Sequence, residues 1–448
     1  MKRTIQILLS KVMICSVLIG QTPISQDSVQ PSSRLKFIKA SRFLDVVTGA
    51  YVSPALVLVE GERIKAIGPS MEIPMGSEVI DLGDATLLPG LIDTHTHLLT
   101  RLDTAKEIDP EKGIRILQTE TSRRVLLGAA MAREMMDAGY TSVRDLGNSG
   151  RNGDVALRDA IEEGLIPGPR MQVSTRALSP IGGQFRHLPA ISQPLVDEEY
   201  AVITGVEEAR KAVRQAIYDG ADLIKVIVNK GSLVLSSDEM KVIVEEAHRA
   251  KRKVAAHATH GPALRIATGA GVDSIEHGYI VPDDVWKEMA QKKIYLVPTD
   301  ATLEGYKAFL VTPRHLPLDE EMTIVRELST FNQGNTARLT IARKLGVPIA
   351  AGSDRYFRSE RQTRGQASLD VLLSYVEAGM TPLEAIRTTT ICAADLMGWA
   401  QKVGSLAPGK FADIIAVKGD PMKDITTLAR ISFVMKGGSI VRNSKQTK

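Results

Sequence analysis

Short apolar runs alternate with amphipathic helical stretches eight times between residues 87 and 354, and this alternation limits the fold more than any other feature of the chain. The apolar runs are, in order, LLPGLIDTHTH, TSVRDLG, RMQVSTRAL, DLIKVIV, KVAAHAT, DSIEHG, IYLVPTD and PIAAGSD. Strands that alternate with helices predict β-α-β units and a parallel sheet. Eight units favour an α/β fold of the (β/α)8 TIM barrel type. An open doubly wound sheet is disfavoured because no Gly-x-Gly-x-x-Gly fingerprint follows the first run.

The two ends of the chain break this alternation. Residues 34–86 and 404–443 consist of short β-type runs separated by Gly, Asp and Pro turns. With 448 residues and 44% hydrophobic content, the chain is long enough for one large and one smaller domain. We therefore expect a small β-sandwich built from both ends, beside a barrel at residues 87–403.

The N-terminus has the layout of a secretory signal. Lys2 and Arg3 precede a mostly apolar stretch, and the polar segment QTPISQDSVQPSS follows it. We expect residues 1–26 to be a signal peptide, and the mature protein to be periplasmic or secreted without a stable membrane partner. Because Lys11 interrupts the apolar stretch, a retained membrane anchor is the alternative.

Charge argues against nucleic acid as a partner. The chain has 56 basic and 52 acidic residues, a net charge of +4, and Lys2, Arg3 and Lys11 belong to the predicted signal. The remainder is nearly balanced, whereas nucleic-acid binding requires a basic surface. Removal of the signal would leave Cys392 as the only cysteine, so no intramolecular disulfide could form. The sequence leaves open whether the protein forms a homo-oligomer.

Residues of metal-binding type occupy the ends of the predicted strands, where a barrel of this kind carries its chemistry, and Lys225 lies within the fourth strand. His95 and His97 are two residues apart, so they point to the same side of a strand and could hold one ion together. The full set consists of His95, His97, Lys225, His257, His277 and Asp354, and it includes four of the eight histidines of the chain. Separately, each has a structural alternative. Lys225 could reach solvent, His277 could be a core histidine, and Asp354 could cap a helix.

Five segments together carry a family resemblance: PGLIDTHTHL, GADLIKVIV, AAHAT, GVDSIEHG and AGSD. Their order and spacing resemble the metal-dependent amidohydrolase superfamily, from about residue 34 to the C-terminus. Within it, the chain is similar to the branch of Xaa-Pro and Xaa-Arg/Lys dipeptidases, imidazolonepropionase-like proteins and ochratoxin-hydrolysing amidases. The segment TRGQASLDVLLSYVEAGMTPLEAIRTTT is also similar to that branch.

The resemblance implies a binuclear metal centre. His95, His97 and Asp354 would hold one divalent ion, and His257 and His277 a second. Lys225, carboxylated by carbon dioxide to a carbamate, would bridge the two. Neutral imidazoles suit zinc, which we favour as the metal. Two close ions lower the pKa of a shared water and polarise the carbonyl that it attacks, and the resemblance gives Asp354 the role of general base and acid.

Substrate contacts are less clear. Gly182, Gly183 and Gln184 follow the third predicted strand where many relatives have Gly-Gly-His, and the nearest histidine is His187. His260 and Tyr279 lie just beyond metal-ligand strands, where each could contact substrate or make only a structural hydrogen bond. Four arginines could pair with a substrate carboxylate, namely Arg144, Arg176, Arg186 and Arg355.

These observations predict a binuclear metal hydrolase that cleaves an amide bond in a small peptide or an N-acyl amino acid. Hydrolysis of a cyclic amide, lactone or carbamate by the same centre is the alternative. A mononuclear deaminase would not use Lys225 as a bridge, and it usually has a Glu shortly after the fifth-strand histidine, which HATHGP lacks. A non-enzymatic scaffold is disfavoured because all six ligand positions are present.

Overall fold

The computed structural model of the chain describes residues 35–100, 119–185, 187–311, 316–356 and 362–444. The predicted signal peptide and Arg186 lie outside these ranges. None of the helices within these ranges is both long and apolar enough to cross a membrane.

Strands dominate the two ends of the chain and alternate with helices between them. The strands are Lys36–Ala40, Arg42–Leu44, Tyr51–Val52, Ala55–Glu60, Arg63–Gly68, Glu78–Asp81, Thr86–Pro89, Leu91–Thr96, Tyr140–Asp145, Arg170–Val173, Ala177–Ser179, Tyr200–Val202, Leu223–Ile227, Asn229–Lys230, Leu233–Val234, Lys253–Ala258, Ser274–His277, Tyr295–Val297, Ile414–Val417, Ile431–Lys436 and Ser439–Asn443. The α-helices are Thr121–Asp137, Gly153–Glu162, Gln193–Glu199, Val206–Tyr218, Ser237–Arg249, Gly261–Ala270, Asp283–Lys292, Leu303–Leu310, Leu318–Lys344, Arg364–Ser368, Asp370–Glu377, Pro382–Thr388 and Ile391–Leu396. Ala190–Ser192 and Ile425–Arg430 are 3-10 helices.

Strands from the two chain ends share a sheet. One four-stranded sheet is wholly N-terminal, in the order Arg63–Gly68, Ala55–Glu60, Lys36–Ala40, Glu78–Asp81. A six-stranded sheet runs Ser439–Asn443, Ile431–Lys436, Ile414–Val417, Thr86–Pro89, Arg42–Leu44, Tyr51–Val52. Buried side chains from both sheets, among them Val57 and Phe433, belong to one hydrophobic cluster. The two ends of the chain therefore fold against a common core.

The first predicted barrel strand is two strands in the structure. Thr86–Pro89 pairs antiparallel with Ile414–Val417 in the sheet of the chain ends, and Leu91–Thr96 pairs with Tyr140–Asp145. Gly90 separates them, and a Cβ there would lie 2.1 Å from Thr141 Oγ1. Only glycine fits this close approach.

The parallel strands lie in two sheets. One has the order Arg170–Val173, Tyr140–Asp145, Leu91–Thr96. The other runs Tyr200–Val202, Ala177–Ser179, Leu223–Ile227, Lys253–Ala258, Ser274–His277, Tyr295–Val297. Backbone hydrogen bonds join the two sheets on both sides. Asp222 N donates to Val173 O at 2.8 Å, and the segment 348–351 bonds to Leu296 on one side and to Thr94 on the other, each at 2.9 Å.

Two predicted strands are shorter or more broken than the sequence pattern indicates. The run RMQVSTRAL is interrupted at Thr175, which has φ +58°. A β-branched residue rarely adopts this left-handed conformation, and Asp154 supports it by accepting a hydrogen bond from Thr175 N at 2.8 Å. The eighth run is reduced to a single bridge between Ile349 and Leu296.

The helix predictions are closer to the structure. Ser236 and Glu239, which have capping-box spacing in the sequence, form a capping box in which Ser236 Oγ accepts from Glu239 N at 3.2 Å and Glu239 Oε2 accepts from Ser236 N at 2.7 Å. After the seventh apolar run, the described residues include the helices Leu303–Leu310 and Leu318–Lys344.

Candidate active site

Four of the predicted ligands are histidines that contact one another at the ends of parallel strands. The ring centroids of His97 and His95 are 5.3 Å apart, those of His95 and His277 5.2 Å, and those of His277 and His257 4.6 Å. His95, His97 and His277 are buried, and His257 is half-buried. Because parallel strands present their carboxyl ends at one edge, residues far apart in sequence meet here.

Asp354 contacts three of these histidines. Its Oδ1 lies 3.2 Å from His97 Nε2 and 3.6 Å from His95 Nε2, and its Oδ2 lies 3.9 Å from His277 Nδ1. Its backbone N donates to His95 O at 2.8 Å. One ligand atom from each of His95, His97 and Asp354 lies within 4.8 Å of the others, so these three could hold a metal ion. Asp354 does not cap the next described helix, whose N-cap is Thr363.

Two predicted ligands have positive backbone φ angles, which a residue at the end of a strand does not need. His277 has φ +70° and Asp354 has φ +49°, both in the left-handed region. Such conformations cost free energy and are concentrated at functional sites. The surrounding structure therefore holds both side chains in place at the expense of local backbone strain.

Lys225 lies on the strand Leu223–Ile227, where its side chain is 3% exposed. The alternative in which Lys225 reaches solvent is therefore wrong. Burial lowers the pKa of the ammonium group to about 8, although the nearby carboxylates of Glu276 and Asp354 oppose this shift. A buried amine with a lowered pKa is a common sign of a functional lysine.

Burial also determines the protonation of the histidines. It lowers the pKa of His95 to about 4 and that of His277 to about 3, and it holds the pKa of His257 well below its usual value. These imidazoles are neutral near pH 7 and keep a lone pair for a metal ion. Burial opposes the charge of Asp354, but His95 and the hydrogen bond from His97 hold the pKa of its carboxyl well below the usual range.

Glu276, which is not among the predicted site residues, supports the site from behind. Its buried carboxylate accepts hydrogen bonds from Arg144 Nη2 at 2.8 Å and from Ser274 Oγ at 2.5 Å, and lies 2.7 Å from His95 Nδ1. Burial opposes its ionisation, but Arg144 and His95 hold the pKa of Glu276 well below its usual range. With Nδ1 engaged by a carboxylate, His95 presents Nε2 to Asp354.

The other histidines are oriented in the same manner. His97 Nδ1 lies 2.8 Å from Gly147 O, which leaves Nε2 facing Asp354. His277 Nδ1 lies 2.8 Å from Thr299 Oγ1. Hydrogen bonds on the second ring nitrogen fix the ring orientation and the tautomer of metal-binding histidines. The site thus has both a candidate ligand set and the supporting contacts that such a set needs.

The structure brings Gln184, rather than His187, to the histidines. Gln184 Nε2 lies 3.5 Å from His257 Nδ1, and its Oε1 accepts a hydrogen bond from Tyr200 OH at 3.3 Å. His187 is exposed on the following loop, and no hydrogen bond or ring contact joins it to these histidines in the described ranges. The departure from Gly-Gly-His therefore places an amide beside His257.

His260 and Tyr279 have different environments. His260 Nε2 lies 3.2 Å from Gly231 O in the turn after Asn229–Lys230, which fits the structural alternative for this histidine. Tyr279 has its ring centroid 5.6 Å from that of His277 and is 37% exposed. Tyr279 thus lies at the solvent-exposed side of the site.

The candidate arginines contact protein groups. Arg144 is buried and binds Glu276 together with Thr94 O. Arg355 is buried and donates to Asp370 Oδ2 at 2.8 Å, and Arg176 donates to Asp197 O at 2.7 Å. Arg144 is therefore part of the scaffold that supports His95.

Comparison with known proteins agrees with this geometry. A model of the amidohydrolase family matches residues 86–441. Ochratoxinase from Aspergillus niger is 30% identical over 420 residues, which cover 87% of this chain and 83% of that protein. Imidazolonepropionase from Streptomyces avermitilis is 23% identical over 375 residues, which cover 81% and 80%. The crystal structure of a Xaa-Pro dipeptidase with bound methionine in the active site matches with a TM-score of 0.76 at 28% identity and covers 91% of this chain and 99% of that one. The chain is therefore a hydrolase that belongs to the amidohydrolase family, as the motifs at its strand ends predicted.

Proposed function

We propose that this chain is a binuclear metal-dependent hydrolase that cleaves an amide bond in a small peptide or an N-acyl amino acid. The observation that carries the proposal is the convergence of four histidines and Asp354 at the ends of parallel strands. The buried Lys225, in the middle of the strand Leu223–Ile227, is close enough for its charge to act on the histidine rings. The names of two similar proteins, a Xaa-Pro dipeptidase and an ochratoxinase, favour an amide substrate over a lactone.

The donor set fits two divalent ions. His95, His97 and Asp354 would hold one and His257 and His277 the other, and Lys225 would bridge them as a carbamate. Burial supports this role for Lys225 because a pKa of about 8 raises the fraction of neutral amine, which is the form that reacts with carbon dioxide. Imidazole nitrogens and carboxylate oxygens suit zinc. When bound, two such ions supply a deprotonated water near neutral pH and polarise the scissile carbonyl.

In this proposal Asp354 is the proton carrier. Its carboxylate is ionised and lies against His95, His97 and His277, so it can take a proton from the attacking water and deliver it to the departing nitrogen. Glu276 and Gly147 O keep the histidine rings oriented while this proton moves.

The proposed function requires an architecture that keeps these strand ends together. We propose that the two parallel sheets and the segment 348–351 close into an eight-stranded barrel. The hydrogen bonds from Asp222 to Val173 and from Thr94 to Ala351 support closure. We also propose that the two sheets of the chain ends stack as a sandwich, supported by their common hydrophobic cluster.

A substrate screen tests the proposed function. The protein would be loaded with zinc or manganese in bicarbonate buffer and offered dipeptides, N-acyl amino acids and lactones, with amino acid release followed by mass spectrometry. We expect amino acids to be released from amides, and the chelator-treated protein to be inactive. Hydrolysis confined to lactones, or equal hydrolysis without metal, would contradict the proposal.

A further inference from the structure

Three aromatic side chains extend from the histidine site towards solvent, and we call them the aromatic row. Tyr279 lies against His277, with ring centroids 5.6 Å apart. The ring centroids of Phe331 and Tyr279 are 5.2 Å apart in a T-shaped arrangement, and those of Tyr306 and Phe331 are 5.7 Å apart in the same arrangement. The row comes from three elements, namely the loop after Ser274–His277 and the helices Leu318–Lys344 and Leu303–Leu310.

The row is open on its outer side. Tyr279 and Phe331 are each 37% exposed, and Tyr306 is partly buried. Aromatic residues make up only 4% of the chain, so three in contact beside one candidate metal-binding histidine are a local concentration. A single exposed aromatic ring needs no explanation, but a contiguous apolar surface beside a polar site is typical of a ligand-binding surface.

The structure holds these rings in place. The guanidinium of Arg338 lies over the Tyr279 ring, 5.3 Å from its centroid. Arg338 is itself buried and paired with Asp300. The hydroxyl of Tyr306 accepts hydrogen bonds from Ala301 N at 3.3 Å and from Asn335 Nδ2 at 3.4 Å. Side chains that are ordered before binding lose little conformational entropy when a ligand arrives.

The chemistry of the row selects a flat apolar group. Faces and edges of aromatic rings pack favourably with another aromatic ring. Arg338, whose guanidinium lies over the Tyr279 ring, is buried and paired with Asp300, so its charge is already balanced within the protein. We propose that the aromatic row binds an aromatic side chain of the substrate residue next to the scissile amide. This proposal rests on the proposed amide hydrolysis and adds the class of substrate.

Matched dipeptides test the proposal. The readout is a ratio of two kcat/KM values. The numerator is the value for the better substrate of Ala-Phe and Phe-Ala, and the denominator is the value for the reference Ala-Ala. We expect this ratio to be about tenfold or more in the wild type, because a hydrophobic pocket discriminates groups of this size to that extent. In Phe331→Ala the ratio should fall about tenfold, and in Phe331→Tyr, which keeps the ring, it should stay within about threefold of the wild type. Ile341→Ala changes a residue of the same helix that is 40% exposed, and it should keep the wild-type ratio.

A binding measurement separates this proposal from the proposed function. If none of the dipeptides is cleaved, the proposal that the protein hydrolyses such amides is wrong. Calorimetric titration with L-phenylalanine and L-alanine then still tests the role of the aromatic row. Tighter binding of L-phenylalanine by about tenfold, lost in Phe331→Ala, would support it. Cleavage of all dipeptides at similar kcat/KM, an unchanged ratio in Phe331→Ala, or equal affinity for the two amino acids would overturn it.

Discussion

The carboxylate of Glu276 lies between His95 and Arg144 and is closed off from solvent. Glu276→Gln removes the charge that orients His95 and leaves Arg144 buried without its counter-ion. We expect activity to fall about 10-fold to 100-fold, as for partners of metal-binding histidines. We also expect a loss of about 3–5 kcal/mol in the free energy of unfolding. Kinetic assays and urea-induced unfolding measure the two effects.

A second variant separates the loss of the ion pair from the loss of the site. Glu246→Gln also removes a buried carboxylate bound by arginines, Arg210 and Arg214, but from the helix Ser237–Arg249. It should lower stability and leave activity unchanged. Equal loss of activity in both variants would mean that Glu276 acts only through stability.

Asp354 combines a candidate ligand oxygen with the role of proton carrier. Asp354→Asn keeps the shape and one oxygen but removes the base, so kcat should fall by about 10,000-fold or more while KM changes much less. Bound metal, measured by elemental analysis, should largely remain. Asp395→Asn, which removes the carboxylate that binds Tyr295 OH, is the control and should keep kcat. Near-normal kcat in Asp354→Asn would require another proton carrier.

Asp154 makes stability depend on pH. Burial and the charge of Asp145 raise its pKa from 3.8 to about 7, so the folded state keeps a proton that the unfolded state loses. Stability from this group is present at low pH and declines as pH rises from about 4 to 7. Between pH 5 and 7, the wild type should lose about 2–3 kcal/mol relative to Asp154→Asn. Urea-induced unfolding at several pH values gives both slopes, and Asp159→Asn on the same helix should keep the wild-type slope.

The convergence of the four candidate histidines could be predicted because strand alternation and the common edge of parallel strands bring such residues together. The contact of Glu276 with His95 could not be predicted, because neighbouring residues of a strand normally point to opposite faces of the sheet. The left-handed backbone of His277 changes this rule, and both residues contact His95. Gln184 beside His257 depends on a loop conformation that no periodicity encodes.

Among the secondary-structure elements, helices and buried strands follow hydrophobic periodicity, and the capping box at Ser236 is readable from residue types. The interruption at Thr175 cannot be predicted from residue types, because a β-branched residue normally extends a strand. The contact with Asp154 overrides this tendency. The separation at Gly90 depends on the close approach of Thr141, which is a tertiary contact.

The strand Ile431–Lys436 connects the C-terminal end of the chain to the N-terminal strands. Phe433 is fully buried in the hydrophobic cluster that both ends share. Phe433→Ala should therefore lower the free energy of unfolding by about 3–5 kcal/mol. Tyr218→Ala removes an aromatic ring that is 87% exposed, and it should change stability by about 0.5 kcal/mol or less. A similar small effect of both variants in urea-induced unfolding would contradict the role of this core.

In the molecule as a whole, the two chain ends share a core while the strands between them present their carboxyl ends, and the candidate ligands, at one site. The division into a barrel and a smaller domain of strands stays a prediction from the sequence, since the chain ends lack helical periodicity. The number of strands that pair, and where each pairing stops, depends on contacts such as the bridge between Ile349 and Leu296, which sequence patterns do not encode.

Metal content of a Lys225→Ala variant, measured beside its activity, tests the binuclear assignment most directly. Loss of the bridging carbamate should reduce bound metal from about two ions per chain to about one and remove most activity, and short carboxylic acids should restore part of it. Lys230→Ala, which removes a lysine from the neighbouring strand Asn229–Lys230, should keep both metal ions and full turnover. Two bound ions and unchanged turnover in Lys225→Ala would show that the binuclear account is wrong.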